Sequence, residues 1–192
     1  MNNTYQPNSL FRPGPNFDLN ACVGTNGGPY EFGEYGEGFF EGGFQIIESI
    51  KKGAWAIDLL IYPATFSFRH GIELYLKHLV KTLSIVSPNT SYSKTHSLKD
   101  NWSTFQLLVK ATNEKSFDRI ELSIAEDIID DFCNIDPTGQ VFRYPEDLKG
   151  NKHLEGLAVI NVEVLGDGMK VLHELLEKWR LTADYLAENN KP

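Results

Sequence analysis

PATFSFRHGIELYLKHLVKTLSIV, residues 63–86, is the stretch that decides the fold. Phe68, Ile72, Tyr75, Leu76, Leu79, Leu83 and Val86 recur at steps of three and four. That repeat places side chains on one face of an α-helix. Arg69, Glu73, Lys77 and Lys81 follow at steps of four roughly opposite, and Arg69, His70, Glu73 and Lys77 share a candidate polar face. Pro63 suits the first turn, where its missing N–H is not needed, and Ser87-Pro88-Asn89 supplies a stop.

Working outward, the same periodicity predicts further helices. Before residue 63, Ile46, Ile47 and Ile50 start an apolar face that continues through Trp55, Leu59 and Leu60, with Gly53 as a break. After it, a helix over 97–111 has Trp102, Phe105 and Leu108 or Val109 inward. One over 117–133 has Ile120, Ile124, Ile128 and Phe132 inward, with Glu121, Glu126, Asp127, Asp130 and Asp131 outward. Asp136-Pro-Thr-Gly139 reads as a turn, and 140–160 as irregular with a short strand at 157–160. A last helix, 162–188, carries Leu165, Met169, Leu172, Leu176, Trp179, Ala183 and Leu186 as a lengthwise packing seam. The fold class is all-α, a four- to five-helix bundle.

Residues 1–43 read differently. They hold nine of the 16 glycines and five acidic residues against the single base Arg12, with Phe and Tyr interleaved. Glycine and proline punctuation argues against a regular helix there, so an irregular acidic, aromatic arm is expected over 1–43 and a helical domain over 44–188. The arm either packs on the domain or a partner chain, or is a flexible terminus.

The composition is that of an ordinary globular chain, 41% hydrophobic and 23% charged. No run is apolar and long enough to span a bilayer, and the N-terminus lacks a signal-peptide pattern, so a cytoplasmic location is expected. The net charge of −8 disfavours broad electrostatic binding to nucleic acid. Cys22 and Cys133 are expected as free thiols.

The segment FRHGIELYLKHL (68–79), followed by Thr95-His96-Ser97-Leu98 and Trp102, resembles the core of the HEPN superfamily of helical-bundle proteins. The likeness covers about residues 55–110, and 136–147 resembles a loop of bacterial proteins of this kind. It implies a helical bundle, homodimerisation and, in some members, metal-independent RNA cleavage by an Arg and a His four to six residues apart. None of Arg12, Arg69, Arg119, Arg143 and Arg180 has a His at that distance. The preferred expectation is therefore a non-catalytic HEPN-like binding module in bacterial stress response, phage defence or toxin–antitoxin pairing, with a homodimer, a partner protein or RNA as its associate and no membrane. The alternatives are a divergent ribonuclease using Arg69, His70 and His96, and a structural subunit of a larger complex.

Individual residues carry two readings each. Arg69, Glu73 and Lys77 are either a ligand-contacting surface or an ion-pair ladder worth about 0.3–0.5 kcal/mol per exposed pair. His96 either helps to start a helix beside Thr95 and Ser97 or acts in catalysis. Arg143, flanked by Phe142 and Tyr144, either braces its loop against Asp136 or faces a ligand phosphate. His70 and Glu73 have no second Glu-x-x-His unit, and Gly24–Gly28 lacks the Lys-Ser/Thr of a phosphate loop, so no metal and no cofactor are expected.

Overall fold

The computed structural model describes residues 9–28, 30–53, 55–87 and 95–190. Two compact units are present, Met1–Tyr30 and Glu31–Pro192. In the first, a single 3₁₀ turn, Phe17–Leu19, is capped by Asn16, and Asn20 ties back to Gly14 through both its amide nitrogen and oxygen. The second is built of five helices, α1 (Phe32–Lys51), α2 (Ile57–Val86), α3 (Leu98–Thr112), α4 (Arg119–Ile135) and α5 (Val162–Asn189), with an irregular connection from α4 to α5. Among the described residues there is no strand, and the one expected at 157–160 is irregular; an isolated bridge joins Glu146 and Lys152 instead. No described helix is long and apolar enough to cross a membrane.

The centre of the bundle is α2. Phe68, Ile72, Tyr75, Leu76, Leu79 and Leu83 are all fully buried, as their spacing predicts. The helix is also covered on its other sides, by α1, α3 and α5. It begins six residues before Pro63, so that proline lies inside the helix rather than in its first turn, on an exposed position where the lost hydrogen bond is tolerated. Pro88 and Asn89, expected to end it, lie outside the described residues; Ser87 is the C-cap.

Residues 32–43 are helical, against the expectation of an irregular arm that far. Each glycine weakens a helix by up to about 1 kcal/mol relative to alanine, but here glycine permits close packing. A Cβ at Gly36 would lie 2.8 Å from the Tyr75 ring and 3.3 Å from the Gly71 carbonyl oxygen. One at Gly43 would lie 2.6 Å from Phe68, and one at Gly71 2.8 Å from Phe40. The backbones of α1 and α2 therefore approach through glycine, and Phe40 fills the space between them. Glu31 and Glu34 close a capping box at the helix start.

Two apolar faces differ from expectation. Gly53, at φ 98°, breaks the chain between α1 and α2, so the stripe does not run on: Trp55 and Leu59 are exposed. On α4 the buried face is Ala125, Ile129 and Phe132, while Ile120 and Ile124 face outward. The α5 seam is as expected, with Met169, Leu172, Leu176, Trp179 and Ala183 buried. Both cysteines are free.

Candidate functional site

Arg69, Glu73 and Lys77 lie together on α2, but inside the protein, with side-chain exposures of 3%, 2% and 11%. Arg69 Nη1 donates to Glu73 Oε2 at 2.9 Å, and Lys77 Nζ to Glu73 Oε1 at 2.7 Å. Asp136, fully buried where α4 ends, supplies the second negative charge: its Oδ2 lies 3.4 Å from Arg69 Nε, which directs its hydrogen to the Asp136 main-chain oxygen at 3.2 Å. Arg69 Nη2 donates to the main-chain oxygen of His96. Two cations thus meet two carboxylates, and the ladder expected on the surface is a neutral buried cluster. Burial alone would raise the Glu73 carboxyl; hydrogen bonds from Lys77, His96 and Arg69 and the Lys77 charge outweigh it and hold the group below its ordinary value.

The turn after α4 closes over this cluster. Asp136 Oδ1 accepts from the main-chain nitrogens of Gln140 and Val141. Gly139, at φ 76°, lies against the Arg69 guanidinium, where a Cβ would stand 2.7 Å from Nη1. Ser97, not Thr95, caps α3, and Thr95 in turn accepts from the Ser97 nitrogen. His96 keeps Nδ1 2.8 Å from Glu73 Oε1 while its side chain is 83% exposed. An exposed imidazole oriented by a carboxylate is half of a general-base arrangement. A cation to stabilise charge on a phosphate beside it is not supplied by Arg69, which is turned inward.

His70 does not join Arg69 and Glu73, contrary to the single polar face expected. It stacks on Phe66 (centroids 5.8 Å apart, planes 9° apart) and meets the edge of Phe39 at 4.5 Å. Burial outweighs the pull of Glu73 and keeps its imidazole below the ordinary 6.5. Arg143 continues the stack, its guanidinium 5.5 Å from the Phe66 centroid and 5.2 Å from that of Tyr144. It does not brace its loop against Asp136, which Arg69 engages instead.

Beside Arg143, the N-terminal part of α2 and the connection from α4 to α5 enclose two cavities, of about 290 Å³ and about 460 Å³, which share Tyr62, His153 and Leu154 as walls. His153 Nε2 is buried there without a hydrogen-bond partner. Leu154 stands at φ 61°, a conformation unusual for a branched side chain.

A second polar cluster, which the periodicity did not reveal, joins α1, α2 and α5. Tyr75 Oη lies 2.6 Å from Glu37 Oε2 and 2.9 Å from Glu177 Oε2, and His173 Nε2 lies 2.6 Å from the same Glu37 oxygen. Arg180 pairs with Glu177 and Asp184, and Asp184 also meets His78 Nε2 at 2.9 Å. The signal was present as His173, Glu177, Arg180 and Asp184, spaced four, three and four along one face of α5; Tyr75 reads as core alone. Burial and two carboxylates hold the Tyr75 hydroxyl well above its ordinary range, so it stays protonated and is no nucleophile.

Among the described residues no group of three His, Cys, Asp or Glu side chains is placed to hold a metal ion. Fold and site together define an all-α bundle with a buried, charge-balanced centre and an aromatic groove at one end of α2. No family model matches the chain, and no curated protein or solved structure shows significant similarity to it.

Proposed function

We infer that this chain is a non-catalytic, HEPN-like helical module that works by binding a ligand or a partner, rather than by cutting RNA. The observation that supports this is the fate of Arg69. Stabilising charge on a phosphate in the transition state requires a donor aimed at the reacting group. Each of the three Arg69 nitrogens is spent within the protein, on Glu73, Asp136 and the His96 carbonyl. His70, the second ribonuclease candidate, is held among Phe39 and Phe66 rather than beside His96. The Arg69–Glu73–Lys77 cluster then serves to lock α2 to the turn after α4. A bacterial stress or defence setting remains part of this reading through the resemblance of residues 68–79 and 95–98.

The expected association with a second copy needs a surface other than the α5 seam, which is buried within the chain's own bundle. The test of function is direct. Single-stranded RNA incubated with the protein in chelator is expected to stay intact, and His96→Ala to change nothing. Cleavage by the wild type that His96→Ala lowers by about 10²–10⁴-fold, the usual worth of a general acid or base, would make the chain a ribonuclease instead.

A further inference from the structure

The groove beside α2 carries features of its own. On the reading of the chain as a binding module, we propose that this groove binds a monocarboxylate borne on an aromatic or branched apolar body. Arg143 pairs the carboxylate, and the apolar walls take the body.

The walls are preformed. Asp136 pins the start of the connection through Gln140 and Val141, the His153 nitrogen donates to the Pro145 oxygen, and Asp147 accepts from the nitrogens of Lys149 and Asn151. The positive φ of Leu154 sets it and His153 as adjacent walls of both cavities. Strained residues persist where the surrounding structure over-determines them, which is common at ligand sites. Pockets that hold small ligands are mostly apolar with a few placed polar groups, and Tyr62, Val141, Phe142 and Leu154 give this one that character.

The polar groups choose the ligand. Among the described residues Arg143 has no ion-pair partner, and its side chain donates one hydrogen bond, from Nη2 to the Tyr144 hydroxyl at 3.3 Å. The guanidinium carbon lies over the Phe66 and Tyr144 rings, and the N–H groups that Tyr144 does not use are left for a carboxylate, which takes two at once. The charge count favours one negative charge over two. Arg143 is the single guanidinium among the wall residues, and Asp58 in the wall of the larger cavity repels a second anion.

Two sources share this chemistry, a free small acid and the C-terminal residue of another chain. The full chain, ¹⁵N-labelled, is titrated with phenylacetate and with a short peptide ending in phenylalanine, each against its amide, and with phenyl phosphate. Both carboxylates are expected to shift the amide signals of Val141, Tyr144 and Leu154, and whichever binds more tightly names the source. The amides are expected to bind at least about tenfold more weakly, as a lost charged hydrogen bond implies. Arg143→Gln is expected to lose about the same factor with unchanged circular dichroism, and Arg119→Gln, exposed at the start of α4, to lose nothing. Equal binding of the amides, tighter binding of phenyl phosphate, or no binding by any probe at millimolar concentration would overturn the proposal. Absence of binding without RNA cleavage would remove this inference alone, whereas cleavage would remove the reading beneath it.

Discussion

Glu73 accepts from Arg69 and Lys77 and meets His96, so its neighbours come from its own helix at steps of four and from the start of α3. The step of four was legible; the burial was not, because the Asp136 that balances the second cation comes from the end of α4. Burial changes the magnitude. A surface ladder would make loss of Glu73 nearly neutral, whereas removing one partner of a buried pair strands the others and costs about 3–5 kcal/mol. Glu73→Gln is therefore expected to lower unfolding stability by about that amount in a urea titration. A loss under about 1 kcal/mol would place the cluster in water instead. Gly139 belongs to the same account. At φ 76° against the guanidinium, Gly139→Ala meets both backbone strain and a steric clash. It is expected to destabilise by more than the roughly 1 kcal/mol that the backbone change alone would give.

At the scale of elements, α2 was legible because seven apolar residues kept one phase, and α5 for the same reason. The phase of α4 was not. Isoleucines lie on two of its sides, and the small Ala125, which lets the helix approach its neighbours, gives a weak hydrophobic signal although it is fully buried. The start of α1 was hidden more completely. Glycine lowers helix propensity, and what stands opposite explains its presence: Arg180 and His78 at Gly33, the Tyr75 ring at Gly36 and the Phe68 ring at Gly43. The groove was legible only as Arg143 between aromatics, since its walls come from segments far apart in the chain, around Tyr62 and around Phe142. The glycines give a test with opposite signs along one helix. Gly38 and Gly42 have open space where a Cβ would go, whereas Gly36 and Gly43 have ring atoms within 2.8 Å. Gly38→Ala and Gly42→Ala are expected to raise stability by up to about 1 kcal/mol each. Gly36→Ala and Gly43→Ala are expected to lower it by about 1–3 kcal/mol, the usual cost of overpacking. Four thermal melts decide the matter, and equal effects at all four positions would contradict the close approach of α1 to α2.

For the molecule as a whole, three groups make stability fall as pH falls, in two windows. His70 is held below its ordinary 6.5 by burial among Phe39 and Phe66. The unfolded chain therefore binds the proton more readily than the folded one, and protonation favours unfolding. Its contribution is intact above pH about 6.5 and declines as pH drops from there towards the folded value. Glu73 and Glu177 are also held below their ordinary 4.5: Glu73 because hydrogen bonds and cations outweigh burial, Glu177 chiefly through Arg180. Their contributions survive the first window and are lost only below pH about 4.5, as the unfolded chain takes up protons that the folded carboxylates resist. The two windows separate by mutation. His70→Phe keeps an aromatic ring in the stack but cannot titrate, so the slope of unfolding free energy between about pH 7 and 5 is expected to be shallower than in the wild type. Below pH about 4.5 the two curves are expected to fall in parallel, because Glu73 and Glu177 titrate in both. A His70→Phe curve as steep as the wild type in the upper window would mean that His70 is already hydrated in the native state, and that the stack joining Arg143 to Phe39 is not closed in solution.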